Sequence, residues 1–274
     1  MPAILTLTSD FGLEDAYVGA MKGVILSAAP DVRLIDITHA VGPQDVMEAA
    51  WVLRQTVPLF PAGTVHLAVV DPGVGTRRRP IACTIAGHTF VGPDNGLFSL
   101  LLGADALGPD EPGTVVSLDR PEAWRVAEPS RTFHGRDIFA PVAARIASGC
   151  SLEEVGTPVA ADSLVRLQWV RPLADDQGVR GWVMHIDRFG NAITNIPASL
   201  VEHHRGDRAV RCYAGSTILD DIGETYASVA SGEPLVVVGS SGQLEVSVNA
   251  GNAAELLSLI KGSAVNIVFA DRRP

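Results

Sequence analysis

Residues 3–36, AILTLTSDFGLEDAYVGAMKGVILSAAPDVRLID, decide the fold. The apolar run Ala3–Leu7 predicts a strand, Asp15–Ser27 spaces its apolar residues as a helix does, and Val32–Asp36 reads as a second strand. Strand, helix, strand is the repeating unit of a parallel sheet. Outward from it, the pattern predicts a helix over Asp45–Leu53, strands at Thr64–Val70 and Ile81–Ala86, a helix over Asn95–Leu102, a strand at Val115–Leu118 and a helix over Ile138–Ser148. Asp10, Asp36, Asp71 and Asp94 each follow an apolar run. Open α/β sheets put their ligand crevices at the carboxyl ends of strands, which makes these aspartates site candidates.

Beyond Arg171 the texture changes to a polar, turn-rich stretch and then to strand candidates: Trp182–Ile186, Ala192–Ile196, Ala209–Tyr213, Pro234–Val238, Leu244–Val248 and Val265–Phe269. One helical pattern, Asn252–Ile260, interrupts them. The expected organisation is an N-terminal α/β domain over residues 1–168, a mostly parallel sheet with helices on both faces, and a smaller β domain over residues 169–274.

Composition supports a folded chain: of 274 residues 47% are hydrophobic and 19% charged, with 27 Gly and 18 Pro. A formal charge of −10 disfavours phosphate backbones and anionic lipid surfaces, so neither nucleic acid nor membrane is an expected partner. Cys83, Cys150 and Cys212 are widely spaced and suggest neither a zinc site nor a disulfide framework. The start, MPAILTLTSDFG, carries no basic run, and no stretch approaches the roughly 18 apolar residues of a span. The expectation is a cytoplasmic protein without signal peptide or membrane helix.

Five stretches carry chemistry. In VVDPGVGTRRR, residues 69–79, a strand runs into Asp71, a glycine turn and three arginines; a plain surface turn competes with a ligand loop, and the GxxxxGK[ST] phosphate cradle is absent. In FHGRDIFAPVAARIASG, residues 133–149, His134 precedes a helical pattern whose N-terminus favours a neutral ring, while Asp137 as a helix cap is the bland alternative. In IDRFGNAITNI, residues 186–196, Asp187 and Asn191 flank a hairpin-like turn, and Asn191 offers both donors and acceptors. In TSDFGLEDAYVGAMKG, residues 8–23, Asp10 could hold a ribose diol, and Glu14 and Asp15 read as helix caps. In GSSGQLEVSVNAGNAAELL, residues 239–257, a turn joins two strands and Asn249 leads into a helix.

Together these stretches resemble one family, the S-adenosyl-L-methionine hydrolases (adenosine-forming), also called hydroxide adenosyltransferases. SDFG, VVDPGVGT, FVGPDNGL, FHGRDIFAP, IDRFGNAITNI and SSGQLE occur in the family's order across nearly the whole chain. The resemblance implies that Asp71, Arg78 and His134 activate water, with Arg77 and Arg79 as neighbouring ambiguities. It implies that Asp10 holds the ribose, that Asp187 and Asn191 meet the methionine portion, that Asn249 and Ala250 with the Ser240 turn wall the adenine, and that Phe133 joins the substrate contacts. It also implies a β-barrel-like second domain, a homotrimer with sites between subunits, and S-adenosyl-L-methionine as substrate with no cofactor and no metal. Fluorinase and chlorinase share the layout. They carry an aromatic residue where Asp71 stands and lack the Arg and His partners, and fluorinase has tryptophans where Gln44 and Ile193 stand here. A halide acceptor is therefore disfavoured. Two other readings stand beside the hydrolase: a metal-dependent nucleotidase or phosphohydrolase built on Asp10, Asp36, Asp71 and Asp94, and a non-catalytic adenosyl-ligand binding protein.

Overall fold

The computed structural model describes residues 2–102, 112–168 and 171–270. Its opening stretch folds as β1 (Ile4–Ser9), α1 (Tyr17–Ala28) and β2 (Arg33–Thr38). There follow α2 (Val46–Thr56), β3 (Val65–Val69), β4 (Pro80–Ile85), β5 (His88–Pro93), β6 (Val115–Ser117), α3 (Ala140–Ala147), α4 (Leu152–Val155) and β7 (Thr157–Pro158). The sheet order is β2-β1-β3-β5-β4-β6-β7. β2, β1, β3 and β5 run parallel to one another, and β4, β6 and β7 close the far side with antiparallel pairings.

β3 is buried at every position, as expected of a central strand covered on both faces. Val65, Leu67 and Val69 share a core with Met21 and Ile25 of α1 and Ala140, Ala143 and Ala144 of α3. Ala68 and the adjoining Val70 belong to a second core with Ala49 and Leu53 of α2 and with Phe90. The alanine face of α3 lets the helix lie close to the sheet. The first unit, Met1–Gln168, thus carries two cores of its own.

The second unit, Trp169–Pro274, contains β8 (Leu173–Ala174), β9 (Gly178–Ile186), β10 (Ala192–Pro197), α5 (Ala198–Arg205), β11 (Ala209–Ala214), β12 (Thr217–Asp220), β13 (Pro234–Val238), β14 (Gln243–Val248), α6 (Ala253–Leu256) and β15 (Ala264–Ala270). Its sheet runs β12-β11-β15-β9-β10-β14-β13, with β8 on β9. A single bridge from Gly223 to Val237 ties the chain just after β12 to β13, making the sheet nearly barrel-shaped. Val179, Val183, Ile196, Val210, Val236, Val246 and Ile267 fill its core.

Several expectations need correction. Asn95–Leu102 is not a helix but a 3₁₀ turn at Ser99–Leu101: Gly96 takes φ +92, and the Asn95 side chain donates to the Val70 carbonyl at 2.9 Å. The Asn252–Ile260 helix shrinks to α6, because Ser258 turns left-handed at φ +53. α1 starts at Tyr17 with no side-chain cap, so Glu14 and Asp15 do not cap it. Asp36 lies inside β2 rather than at its end. β5, α5 and β12 were not anticipated; β5 pairs its apolar Phe90 and Val91 with buried polar His88, which hides the alternation. Cys83 and Cys212 are buried free thiols, whereas Cys150 is only half-buried. Among the described residues no helix is long and apolar enough to cross a membrane.

The second core of the first unit contains a polar thread. The Thr6 hydroxyl lies 2.7 Å from His66 Nδ1, and His66 Nε2 lies 3.2 Å from His88 Nδ1. A neutral His66 satisfies both, accepting from Thr6 and donating to His88. Burial, then the neighbouring His88, pushes His66 from 6.5 down to about 3. The unfolded ring binds its proton near 6.5 and the folded ring does not, so this stability is complete above pH 6.5 and is lost as pH falls towards 3. Such a group contributes a slope of about 1.4 kcal/mol per pH unit. Urea midpoints should be flat above pH 7 and decline between pH 6 and 4.5; a His66→Gln variant that kept the full decline would exclude this origin.

Candidate active site

β1 and β3 are parallel neighbours with Ser9 opposite Val69, so Asp10 and Asp71 emerge from adjacent strand ends. Both line a cavity of about 340 Å³, with Phe11, Tyr17, Gln44, Pro72, Val74, Thr132, Phe133 and His134. That size lies in the small-molecule range.

The glycine turn after Asp71 folds the chain back on itself. Val74 N donates to the Asp71 carbonyl at 3.2 Å, and Thr76 Oγ1 donates to the Gly73 carbonyl at 2.6 Å. Gly75 takes φ +75, and a Cβ there would stand 2.3 Å from the Arg131 carbonyl oxygen. Only glycine fits both demands. The reversal returns Arg78 onto Asp71: its Nε donates to Oδ1 at 2.9 Å and to Oδ2 at 3.0 Å, and its Nη2 also donates to Oδ2. The same Nη2 lies 2.9 Å from His134 Nδ1. Arginine only donates, so His134 Nδ1 accepts and the proton of the neutral ring sits on Nε2. Arg78 also lies over the Phe139 ring at 5.1 Å, and its Nη1 is buried without a partner among the described residues.

Among the described residues the three neighbouring arginines take different surroundings, and Arg78 is the one that meets Asp71. Arg79 binds Asp94, with Nε at 2.9 Å, and reaches the Ser163 side chain, while Arg77 is exposed. His134 stands at the head of a π-helical turn, Gly135–Phe139, that feeds into α3. Burial foremost, then the Arg78 charge, lowers its proton affinity, against the opposing pull of Asp71 and Asp137. Asp137 does not cap this helix. It is fully buried and is held by Arg136, Arg125 and the Ser130 N–H, with the Arg136 bond pulling its carboxyl well below the usual range.

Asp10 Oδ2 accepts from the backbone N–H of Gln44 at 2.7 Å, a bond made possible by the left-handed φ +64 of Gln44. Its other oxygen has no donor among the described residues. Phe11, Tyr17 and Phe133 pack as an aromatic wall with ring centroids 5.1–5.7 Å apart. Tyr17 was missed in the sequence; its only signal is an aromatic residue in the first turn of a helix that follows a strand-end aspartate. Asp10 and Asp71 share the cavity, but the four candidate aspartates do not form one cluster. Asp36 binds Lys22, Asp71 binds Arg78 and Asp94 binds Arg79. Among the described residues no group of three or more His, Cys, Asp and Glu is arranged to hold a metal.

In the second unit Asp187 and Asn191 are brought together by the β9–β10 turn. Asp187 Oδ1 accepts from the Phe189 and Asn191 N–H groups at 2.9 Å, and its Oδ2 from Asn191 Nδ2 at 2.9 Å. Ser240 sits in the β13–β14 turn, closed by a Gly242 N–H to Gly239 carbonyl bond of 2.9 Å. Asn249 Nδ2 donates to the Val229 carbonyl at 2.8 Å, and Ala250 follows at φ +55. Glu245, which sequence reasoning passed over, is buried and accepts from the Tyr226 hydroxyl at 3.1 Å. Burial, with a contribution from the Asp187 charge, raises its carboxyl. The available sequence signal was a single charged residue inside the expected strand Leu244–Val248.

The chain matches two family models, SAM hydroxide adenosyltransferase N-terminal domain over residues 5–156 and SAM hydroxide adenosyltransferase C-terminal domain over residues 181–266. It is 45% identical over 265 residues to a protein from Salinispora tropica named (R)-S-adenosyl-L-methionine hydrolase, covering 96% of this chain and 97% of that one. A fluorinase from Nocardia brasiliensis is a more distant relative, 32% identical over 219 residues, covering 70% of this chain and 71% of that one. A crystal structure of an uncharacterized conserved protein from Thermotoga maritima superposes with a TM-score of 0.88 at 38% identity, covering 97% of this chain and 99% of that chain.

The geometry of the Asp71 turn is testable by itself. Gly75→Ala must displace the Arg131 backbone and adopt a strained φ, so it should cost about 1–3 kcal/mol of stability. It should also loosen the seating of Arg78 on Asp71. A thermal midpoint unchanged from that of the parent would show that the turn is not closed in this way.

Proposed function

The chain belongs to the SAM hydroxide adenosyltransferase family, and from that membership we infer that it is an enzyme hydrolysing S-adenosyl-L-methionine to adenosine and L-methionine. The observation that carries this reading is the Asp71–Arg78–His134 array, whose first and last members line the same cavity as Asp10.

The sulfonium of the substrate is a ready leaving group. The water oxygen bonds to C5′ as the C5′–S bond breaks, the sulfur keeps the electron pair to become the methionine thioether, and one water proton must leave. Placing the water in line is worth several kcal/mol, up to about 7–11 in the best intramolecular cases. Asp71 is the proton acceptor in our scheme. His134 Nδ1 is engaged by Arg78 and its Nε2 already bears hydrogen, so the ring orients the array rather than taking the proton. Arg78 fixes the carboxylate, and its unmatched Nη1 supports an acceptor oxygen nearby, because an orphaned buried donor costs about 1–3 kcal/mol. Asp10, with one oxygen uncommitted, is assigned to the ribose diol and Phe133 to an apolar contact. Asp187 and Asn191 are assigned to the methionine portion, and Ser240, Asn249 and Ala250 to the adenine wall, on the strength of the family motifs.

The scheme needs no metal and no cofactor. The separate cationic partners of Asp36, Asp71 and Asp94 speak against the nucleotidase reading. A cytoplasmic homotrimer with sites between subunits is part of the proposal. Exposed Leu13 and Phe189, at 74% and 76%, support burial against another subunit.

Asp71→Asn should lower kcat by about 10²–10⁴-fold with little change in adenosine affinity, and His134→Ala should lower it less. Because the proton affinity of His134 is lowered, the array should stay intact below pH 6.5, and a His134→Gln variant should lose that acid limb of kcat. Adenosine and methionine should appear together from chelator-treated enzyme. Halogenated adenosine should not form from chloride or fluoride, since Asp71 repels an incoming anion. Near-normal turnover by folded Asp71→Asn would end the mechanism.

A further inference from the structure

Ser9, His39 and Asp36 form a second chain of side chains at the end of β1. Ser9 Oγ lies 2.7 Å from His39 Nδ1, His39 Nε2 lies 3.1 Å from Asp36 Oδ1, and Lys22 Nζ donates to Asp36 Oδ2 at 2.6 Å. These are the residue types of a serine nucleophile with its base and orienting acid. Ser9 is nevertheless fully buried and forms no part of the cavity wall, so no substrate reaches its oxygen.

The chain has a direction instead. Burial alone would raise the Asp36 carboxyl, yet the Lys22 bond and the nearby His39 ring, whose Nε2 stands 3.1 Å away without hydrogen-bond alignment, hold it below the usual carboxylate range. An ionised Asp36 favours hydrogen on His39 Nε2, which leaves Nδ1 to accept from the Ser9 hydroxyl. The Ser9 oxygen then accepts from the Phe11 N–H at 3.4 Å. The His39 carbonyl accepts from the Gly12 N–H at 2.8 Å, and Gln44 N holds Asp10 at 2.7 Å. The loop after β2 therefore grips the Ser9–Gly12 segment at both ends and at Asp10. The β1–β2 pairing ends at Thr8–Thr38 and the β1–β3 pairing at Ser9–Val69, so Asp10, Phe11 and Gly12 lie beyond the strand ladder and depend on this loop. That segment gives the cavity Asp10 and Phe11.

We propose that His39 is a positioning residue for the nucleoside end of the site, setting Asp10 and Phe11 through the Asp36–His39–Ser9 chain. This rests on the adenosyl-binding reading above.

The test measures adenosine affinity by calorimetry, and kcat and KM with S-adenosyl-L-methionine, for His39→Ala, His39→Asn, Asp10→Ala and the His39→Ala/Asp10→Ala double variant. His39→Ala should weaken adenosine binding and raise KM by about 10-fold, leaving kcat within about threefold. His39→Asn, whose side-chain amide can still bond Ser9, should recover most of that loss. The double variant should lose less affinity than the product of the two single losses, because His39 acts in part through Asp10. Losses that multiply, a collapse of kcat at constant KM, or full affinity in a folded His39→Ala would overturn the proposal. If His39→Ala does not fold, Ser9→Ala breaks the same link and is read in the same way. If the parent protein binds no adenosine, the nucleoside reading fails; the positioning claim is then decided by amide exchange at Phe11 and Gly12. Exchange should quicken in the variant, and unchanged exchange would overturn the claim.

Discussion

A guanidinium held between a carboxylate and a neutral imidazole nitrogen is the constraint around which the first unit is arranged. Arg78 meets Asp71 with both charges largely out of water, at 9% and 6% side-chain exposure. A buried pair of this kind adds little net stability, since desolvation offsets attraction, but removing either partner strands a charge. The rest follows from keeping it assembled. Gly75 turns the loop back so that a residue seven positions on can face Asp71. The π-helical turn brings His134 round to Arg78, and burial with the Arg78 charge keeps its ring neutral. A protonated ring would set two cations against each other.

The sheet explains why the pair faces a cavity at all. Adjacent parallel strands finish level with one another, so the residues just past β1 and β3 emerge together, and α1 and α2 start from loops beyond the same edge. Arg79 and Asp94 use the same chemistry for a different end. They pin the 161–165 segment to the strand ends, with Val165 N donating to Asp94 Oδ1 at 2.9 Å. Three successive arginines thus have three fates: solvent, site and scaffold.

Much of this was legible in the sequence, and the reasons differ by residue. The βαβ start was readable because apolar spacing reports burial directly. Asp71 and His134 stood out only through the family resemblance, since a surface turn and a helix cap competed with them locally, and the fold puts both on one cavity. The choice among Arg77, Arg78 and Arg79 was not readable, since it depends on the return path of a loop whose tightest point is set by the Arg131 backbone. β5 was hidden because its buried His88 satisfies itself by bonding another buried histidine, a partnership no local pattern announces. Glu245 was passed over because a charged residue inside a strand normally signals solvent, whereas here Tyr226 supplies its partner. Asp137 looked like a cap and is instead the anchor of three donors.

The three thiols differ sharply in access. Cys83 and Cys212 are sealed in hydrophobic cores, where burial pushes each up to about 12. Cys150 follows α3 at the surface, half-buried beside Glu154. The native polypeptide therefore offers a maleimide dye or spin label one accessible attachment point, just after α3, with no cysteine needing to be removed first. A probe there would read out motion of the helix that begins at the His134 turn, and the unreactive pair would serve as an internal gauge, becoming labelled only when the cores come apart.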